Sequence, residues 1–353
     1  MARITNHVIM KSGKEYIFID DTIQLKLHVP LHITVIYYTQ TDKDISSRFF
    51  CVSPEGCEYS YDDKTAVPSL QHCHDFFELL IVLKGKVYQK IEGQTYLYSI
   101  GSCCLINRNI LHCEKTFGDS TLLFIQFSKE YVMELIENNR SAFFKNLPPI
   151  NNSILTFMEE NLKTDHRKNY LDFFPIYQNT FDKTVENSTY VHGRKNTSYL
   201  HRISNDLIEN LFTPKIGSEY IIKGLLYGLF DYLDNSKAFH IIPVSLHTRN
   251  DELLFSRIRH LMEDTHGRIS RSELEQSLHY SGNYLNSIIK KYTGMSLFEY
   301  GTGFTMNEAA RLLDETDKSI GEIMTQLHFS NWGHFNQLFK KQFGMLPSQY
   351  KNK

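Results

Sequence analysis

The last hundred or so residues contain one pattern twice, about fifty residues apart. The letters LHYS at 278–281 correspond to LHFS at 327–330. The correspondence continues downstream and includes Asn286 with Asn336, Lys290-Lys291 with Lys340-Lys341, Gly294 with Gly344, and Tyr300 with Tyr350. An internal repeat indicates one structural unit built twice. The fold of this segment must therefore accommodate two similar units.

The first copy predicts a helix, a tight turn and a second helix. Ser270 and Glu273 form the Ser-x-x-Glu pattern of a capping box, which opens a short helix. His279 lies at the turn, where a positive φ is needed and histidine tolerates it. Ser281 is predicted to cap the second helix, and Gly294 to end it. Such a pair of helices indicates a DNA-binding unit.

The second copy repeats these signals. Ser319 and Glu322 open its first helix, and His328 occupies the turn. Ser330 is predicted to cap its second helix, which Gly344 ends. Two copies with matched caps and turns favour DNA binding over the alternative, two helical hairpins whose polar faces are merely solvated.

The second helix of each copy has an apolar face and a polar face. Leu285 and Ile289 in the first copy, and Phe335 and Phe339 in the second, are predicted to point inward. Asparagine suits the reading of adenine in the major groove, and lysine suits phosphate or guanine. The residues predicted to bind DNA are Gly282, Asn283, Asn286, Lys290, Asn331, Trp332, Asn336 and Lys340.

These residues resemble the AraC/XylS family of transcriptional regulators. The resemblance covers about residues 252–352. It rests on Ile320, Ile323, Phe329-Ser330, Phe335, Phe339-Lys340-Lys341, Gly344, Pro347-Ser348 and Tyr350. It implies two helix-turn-helix subdomains joined by a long helix, each placing its second helix in the DNA major groove. Residues 297–315 are predicted as that linker helix.

The linker departs from the family pattern at its start. Gly301 and Gly303 lie near Thr305, which replaces the usual arginine. Each interior glycine costs a helix about 1 kcal/mol relative to alanine. We therefore expect the linker helix to be frayed near its start.

The charge of this segment is balanced. Residues 251–353 contain twelve Lys+Arg and twelve Asp+Glu, whereas many DNA-binding domains are basic as a whole. The positive charge is local, at Lys290-Lys291 and Lys340-Lys341. We expect modest non-specific DNA affinity with a shallow salt dependence.

Composition bounds the class of protein. A chain of 353 residues has room for two or three domains, and 41% hydrophobic content with a net charge of −2 is typical of a globular protein. The first residues show no apolar signal segment, and no run reaches the roughly eighteen apolar residues of a membrane span. All six cysteines lie between Cys51 and Cys113, and we interpret them as reduced thiols in the cytoplasm. A thiol redox sensor is the alternative.

A second group of chemically notable residues lies between residues 72 and 112. His72, His74 and Glu78 are followed by Gly85, and His112 comes later. Stretches at 79–83, 87–91 and 96–100, separated by glycine turns, predict short strands of a small β-barrel or jelly roll. The spacing is similar to the two motifs of cupins. In proteins resembling the AraC/XylS family, such a domain senses the effector.

His72 and His74 alternate on one predicted strand, so their imidazoles should share a face. Glu78 joins them if the strand continues without a bulge, and His112 is expected from a facing strand. These four residues are predicted to bind an effector without metal. The alternative is a metal site suited to Fe, Mn, Ni or Zn. No cofactor is expected under the first reading.

A helical connector is predicted between the two domains. Residues 199–212 and 218–233 read as helices, and the second has a wide apolar stripe. Residues 182–198 are predicted as a loop. In resembling regulators the corresponding helices form the dimer interface, so a homodimer is expected; the alternative is a stripe buried within one subunit. The predicted domains are a leader with strands (1–50), a cupin-like sensing domain (51–175), the connector (176–247) and the DNA-binding domain (248–353).

The predicted fold class is an α+β multidomain chain, and the predicted function is an effector-responsive transcription regulator without enzymatic activity. The expected partners are double-stranded DNA, a small-molecule effector, a second copy of the chain and RNA polymerase. The alternative function is a metal-dependent cupin enzyme fused to a DNA-binding domain. A regulator that responds to a protein partner is a third reading.

Overall fold

The chain forms two compact units. The computed structural model describes residues 4–19, 22–40, 45–62, 70–139, 151–164, 167–176, 194–246 and 251–351. One unit, called here the β-rich unit, comprises Met1–Ile176 and Gly193–Thr248. The other, called the helical unit, comprises Tyr177–His192 and Arg249–Lys353. The α+β class predicted from the sequence is confirmed.

The strands all belong to the β-rich unit within the described residues. In chain order they are β1 (Ile4–Ile9), β2 (Lys14–Ile19), β3 (Thr22–Leu27), β4 (Leu31–Gln40), β5 (Ile45–Ser53), β6 (Gly56–Asp62), β7 (Gln71–His74), β8 (Phe77–Lys84), β9 (Lys86–Ile91), β10 (Gln94–Ser99), β11 (Cys103–Ile106), β12 (His112–Lys115), β13 (Ser120–Phe127), β14 (Asn169–Pro175) and β15 (Phe239–Ser245).

These strands form two sheets. One has the order β1-β2-β3-β7-β12-β9-β10, and the other has the order β15-β14-β11-β8-β13-β4-β5-β6. All pairs are antiparallel except β3 with β7. β1 to β4, which lie in the segment predicted as a leader, pair within both sheets; Leu31 on β4, for example, pairs with Phe127 on β13. The first fifty residues thus contribute strands to the same sheets as the predicted sensing domain.

Four helices accompany the sheets in the described residues. They are α1 (Lys129–Asn139), α2 (Ser153–Leu162), α3 (Arg194–Phe212) and α4 (Ser218–Leu233). The prediction for α4 is confirmed. α3 begins at Arg194, so the loop predicted over 182–198 is wrong from residue 194 onward, and its earlier part lies outside the described residues. Leu226 and Phe230 of α4 are buried in the same core as Ile125 and Phe127 of β13.

The helical unit contains the repeat. Its helices are α5 (Asp251–Asp264), α6 (Arg271–Leu278), α7 (Gly282–Thr293), α8 (Leu297–Glu315), α9 (Ile320–Gln326), α10 (Trp332–Phe343) and α11 (Pro347–Lys351). α6 and α7 form the first predicted helix-turn-helix, α9 and α10 form the second, and α8 is the predicted linker with the predicted bounds. No described helix in either unit is both long and apolar enough to cross a membrane.

The predicted turn and cap residues are confirmed with one exception. Capping boxes are present at Ser270 and at Ser319. His279 and His328 have φ of 59° and 54°, as the turns require. The exception is α10, which Asn331 caps instead of Ser330. The side chain of Asn331 accepts a hydrogen bond from the backbone N–H of His334.

The linker helix is not frayed at its start, contrary to the prediction. A capping box between Ser296 and Glu299 begins the helix. Gly301 is buried because the loop at Gly267 packs directly on its backbone, and a side chain at Gly267 would overlap the carbonyl of Gly301. Thr305 donates a hydrogen bond to the carbonyl of His266, 2.8 Å away. The small residues therefore permit a close backbone contact that anchors this part of the helix.

Candidate functional site

The second helix of each helix-turn-helix unit, α7 or α10, is called here a reading helix. In α7, two of the predicted DNA-binding residues near the helix start are hydrogen-bonded within the protein. Gly282 is buried, and its N–H donates to Glu275 Oε1 at 2.5 Å. Asn283 is exposed, and its Oδ1 accepts a hydrogen bond from Arg271 Nη2 at 2.9 Å. Gly282 therefore cannot offer its N–H to DNA in this arrangement, whereas the Nδ2 group of Asn283 faces solvent.

The matched residues Asn286 and Asn336 have different surroundings. Asn286 Oδ1 accepts a hydrogen bond from the backbone N–H of Leu297, at 2.8 Å, and so ties α7 to the start of α8. Pro347 occupies the corresponding position in the second copy and has no N–H to donate. The amide of Asn336 consequently has no hydrogen bond to the described residues. Bidentate reading of adenine uses both amide atoms, and both are available in Asn336, whereas Oδ1 of Asn286 is already engaged with α8.

The second reading helix, α10, presents the larger exposed polar face. Trp332 is 51% exposed, and Lys340 is also exposed. His334 and Gln337 lie on exposed positions of the same helix and were not among the residues predicted from the sequence. The sequence contained a signal for Gln337, because residues four apart share a helix face and Gln337 lies four residues after Gly333 and four before Lys341.

The last turn of each reading helix contains two adjacent lysines, of which one pairs with a carboxylate among the described residues and the other does not. Lys291 Nζ lies 2.6 Å from Asp251 Oδ2, and Lys341 Nζ lies 3.8 Å from Glu299 Oε1. Lys290 and Lys340 are exposed and make no ion pair with the described residues. One lysine of each pair is therefore available for phosphate.

The β-rich unit contains a partly open cavity of about 130 Å³ between its two sheets. The apolar part of its wall consists of Ile23, Leu25, Ile36, Phe49, Leu70 and Phe124. The polar part consists of Lys14, Tyr16, Thr34, Tyr38, His72, Glu78, Glu114 and Gln126. Among the four residues predicted to bind an effector, His72 and Glu78 line the cavity, while His74 and His112 are buried next to it.

The four predicted residues come together, but by a different route from the one predicted. His112 lies opposite His72 on the neighbouring strand of the same sheet, not on a facing strand. The chain bends after His74 and crosses to the other sheet, so Glu78 approaches the histidines from across the barrel. His112 Nε2 is 3.2 Å and His74 Nε2 is 3.7 Å from Glu78 Oε1.

Backbone carbonyls orient the three imidazole rings. Nδ1 of His74 lies 2.7 Å from the carbonyl of Phe76, Nδ1 of His112 lies 2.9 Å from that of Ile110, and Nδ1 of His72 lies 3.3 Å from that of Leu70. A hydrogen bond donated by Nδ1 leaves Nε2 as the free nitrogen. The side chain of His74 also stacks on the ring of Phe76.

Burial and hydrogen bonding shift the pKa values of this cluster in different directions. Burial favours a neutral Glu78, but the hydrogen bond with His112 and the nearby imidazole of His74 outweigh it and hold the pKa of Glu78 well below its usual range. Burial also opposes charge on His112, yet the hydrogen bond to Glu78 and the nearby Glu114 raise its pKa. Burial, together with the charge of His112, lowers the pKa of His72 well below its usual value. The surroundings of the cluster therefore favour charge on Glu78 and His112 and disfavour charge on His72.

Glu114 is the principal residue that the sequence interpretation missed. It lies two positions after His112 on β12, and two-residue periodicity could have placed both on one face. Burial raises the pKa of Glu114 to about 7. One ligand atom from each of His72, Glu78, His112 and Glu114 lies within 4.8 Å of the other three. Lys14 was also missed, and so was Gln126, whose Nε2 donates to Glu78 Oε2 at 2.5 Å.

Comparison with known families agrees with this division of the chain. Residues 61–141 match the AraC-like ligand binding domain, and residues 274–353 match a helix-turn-helix domain. A β-rich ligand-binding domain followed by paired helix-turn-helix units defines a class of transcription regulator. The chain carries the two domain types of AraC-family transcriptional regulators. This is a family of regulators and not of enzymes.

Curated relatives carry descriptions of the same kind. The uncharacterized HTH-type transcriptional regulator YtdP of Bacillus subtilis is 36% identical over 83 residues, which are 24% of this chain and 11% of that protein. The HTH-type transcriptional activator RhaS of an Enterobacter species is 20% identical over 282 residues, which are 80% of this chain and 87% of that protein. The chain spans about half of YobQ of Bacillus subtilis and of the Msm operon regulatory protein of Streptococcus mutans, 48% in each case.

Solved structures show low-scoring likeness. The C-terminal domain of AraT, a response regulator from Geobacillus stearothermophilus, is 27% identical, covers 28% of this chain and 84% of its own, and gives a TM-score of 0.27. ToxT from Vibrio cholerae is 12% identical, covers 92% of this chain and 96% of its own, and gives a TM-score of 0.30.

Proposed function

We propose that this protein is a sequence-specific DNA-binding regulator whose reading helices α7 and α10 enter successive major-groove segments. The observation that carries the proposal is the matched pair of helix-turn-helix units, each with a left-handed histidine turn and an exposed polar face. Trp332, Asn336, Gln337 and Lys340 of α10 supply base-reading and phosphate-binding groups that are not engaged by the described residues. We assign α7 a smaller share of the DNA contacts, made through Asn283 and Lys290.

Selection of DNA from a random pool with the full-length chain tests this function. Recovered sequences should contain two half-sites spaced by about one helical turn, since the two helices read one face of the duplex. Binding of the recovered DNA should exceed binding of scrambled DNA. Failure to enrich any sequence, with the chain folded by circular dichroism, would refute the proposal.

The cavity of the β-rich unit is proposed as the binding site of a small polar effector. The buried amine of Lys14 and the carbonyl of Gln126, which has no hydrogen-bond partner in the described part of the chain, both line it. A ligand that accepts from one and donates to the other would satisfy groups that are costly to bury. We retain His72 and Glu78 as direct contacts, and place His74 and His112 behind them.

Ligand-dependent stabilisation tests the cavity. A compound that changes operator affinity should raise the melting temperature of the parent chain, because ligand bound to the folded state stabilises it. The same compound should lose this effect in Lys14→Met and keep it in Lys90→Met, an exchange of the same kind outside the cavity. Equal shifts in all three proteins would place the effector site elsewhere.

A divalent metal is the second candidate occupant of the same cavity. The donor set of two imidazoles and two carboxylates suits Fe, Mn, Ni or Zn, and histidine ligands typically donate their other ring nitrogen to a carbonyl, as His72 and His112 do here. Elemental mass spectrometry of the purified chain tests it. Stoichiometric metal in the parent and in His334→Ala, and none in His112→Ala, would support a metal site. Absence from the parent would reject it.

We also infer a cytoplasmic homodimer. All six cysteines are free thiols, as expected for a reducing compartment. Four large apolar side chains at the end of α3, in the following turn and at the start of α4 are exposed, namely Phe212, Ile216, Tyr220 and Ile221. Exposed apolar patches mark protein interaction sites. Contact with RNA polymerase remains the expected means of acting on transcription.

A further inference from the structure

The helical unit contains a groove between its two helix-turn-helix units. The groove has a volume of about 680 Å³. The N-terminal parts of both reading helices line it, with Asn283 on one side and Asn331 and His334 on the other. In helix-turn-helix proteins the N-terminal residues of the reading helix contact base edges. The groove therefore opens on the same face as the two reading surfaces.

The charge of this groove differs from that of the unit as a whole. The helical unit is balanced between acidic and basic residues, yet no acidic residue lines the groove within 251–351. Its charged lining consists of Arg268 and Arg271. Arg271 is bound to Glu275 and Asn283, with nitrogen–oxygen distances of 3.2 and 2.9 Å. Acidic side chains are thus kept out of a surface that DNA must approach.

Arg268 is the less constrained cation of the groove. Its guanidinium lies 4.5 Å from the ring centroid of Phe329, and it makes no ion pair with the described residues. Arg268 precedes α6, whereas Phe329 is in the turn of the second helix-turn-helix unit, so this contact places the guanidinium between the two units. Stacking covers one face of a guanidinium and leaves its edge N–H groups free to donate.

We propose that Arg268 binds the DNA phosphodiester backbone between the two major-groove segments. The inference rests on the proposed DNA-binding function and names a contact outside the two reading helices. Major-groove segments on one face of DNA lie about 34 Å apart, and the strands between them present phosphates to whatever lies between the helices. Arginine is suited to phosphate because its fork of donors matches two phosphate oxygens.

Matched arginine variants of the full chain test this contact on DNA recovered by selection. Arg268→Gln should lower the slope of log affinity against log salt by about 0.9, the effect of one lost phosphate contact. The ratio of the parent's DNA affinity to that of Arg268→Gln should accordingly fall about 3.5-fold between 50 and 200 mM salt. Arg268→Lys should retain most of the slope, because the charge remains.

Arg311→Gln is the matched control. Arg311 is bound to Glu308 and Glu315 on α8 and does not line the groove, so its loss should leave the salt slope unchanged. Melting temperatures establish that both glutamine variants are folded. An unchanged slope in Arg268→Gln, or an equal fall in both variants, would overturn the assignment.

The base pairs between the half-sites provide a further test. The loss caused by Arg268→Gln should be equal for A·T-rich and G·C-rich spacers, because phosphates carry no sequence information. A loss confined to A·T-rich spacers would instead indicate insertion into a narrow minor groove and would overturn the phosphate contact. If the parent chain itself bound no selected DNA, the proposed function would fail, and not this contact alone.

Discussion

At the scale of single residues, the two copies of the repeat use one asparagine in two ways. Asn286 closes a hydrogen bond between α7 and α8, whereas in the second copy the position matching Leu297 is Pro347, which has no N–H to donate. A repeat that duplicates a residue therefore does not duplicate its role. The role of the asparagine depends on the residue that begins the next helix, which is Leu297 in one copy and Pro347 in the other.

This difference predicts different effects of two alanine variants, one on stability and the other on DNA binding. Asn286→Ala should destabilise the helical unit by about 1 kcal/mol, because the Leu297 N–H loses its partner. Asn336→Ala should change stability by less than about 0.5 kcal/mol and weaken binding to selected DNA by about 1–3 kcal/mol, with relaxed specificity. Urea unfolding monitored by Trp332, the single tryptophan, measures stability in this unit. Equal destabilisation by both variants would contradict the assignment.

Thiol reactivity offers a second prediction at this scale. Burial raises the pKa of the Cys103 and Cys104 thiols, and reaction with alkylating reagents requires the thiolate. Cys57 is exposed. Iodoacetamide should therefore modify Cys57 first in the folded chain, and modify Cys103 and Cys104 only on unfolding, as peptide mass spectrometry can show. Labelling of Cys103 or Cys104 as fast as Cys57 would favour the redox-sensor alternative.

At the scale of elements, the linker helix depends on close backbone packing at one of its two early glycines. A methyl group at Gly301 would lie 3.1 Å from the carbonyl oxygen of Gly267 and 3.4 Å from Met262 Sδ. At Gly303 the nearest atom, Gln342 Oε1, would be 4.0 Å away. Helix propensity alone would favour alanine at both positions.

Alanine variants at these two positions should therefore differ in their effect on stability. Gly303→Ala should stabilise the helical unit by about 0.5–1 kcal/mol, the gain in helix propensity. Gly301→Ala should lose that gain or be destabilising, since the Gly267 loop must move to admit the methyl group. Thermal unfolding of both variants beside the parent measures the difference. An equal gain in both would show that the loop yields freely and that the helix start is the weaker feature.

At the scale of the whole molecule, the exposed apolar group on α3 and α4 bears on assembly. Ile216 is fully exposed and Tyr220 is 78% exposed. Burying such side chains between two chains contributes about 25 cal/mol for each Å² of apolar surface removed from water. A second copy of the chain is the partner we propose for this surface.

Sedimentation of the full chain tests the assembly. The parent should sediment as a dimer at micromolar concentration, and the double variant Ile216→Ser/Tyr220→Ser should shift toward monomer. Tyr59→Ser removes an exposed aromatic residue elsewhere in the same unit and should leave the dimer intact. A monomeric parent would refute the dimer, and an unaffected double variant would place its interface elsewhere.

The sequence by itself determined the helices of the DNA-binding region and the presence of a strand-rich domain before it. Capping boxes, left-handed turns and C-terminal glycines are signals within a few residues, so α8 could be predicted with its bounds. Several strands and the second connector helix followed from periodicity in the same way. The first fifty residues carried strand signals too, but nothing in them indicated that Lys14 would reach the cavity.

Only the tertiary structure decided which side chains meet. Glu78 reaches His112 because the chain crosses between sheets, and Glu114 joins them through pairing of distant strands. Arg268 meets Phe329 only when two helix-turn-helix units pack together. These contacts join residues far apart in the chain, and local sequence signals report on a few neighbouring residues. The sequence therefore determined the elements and the family, while packing determined the sites.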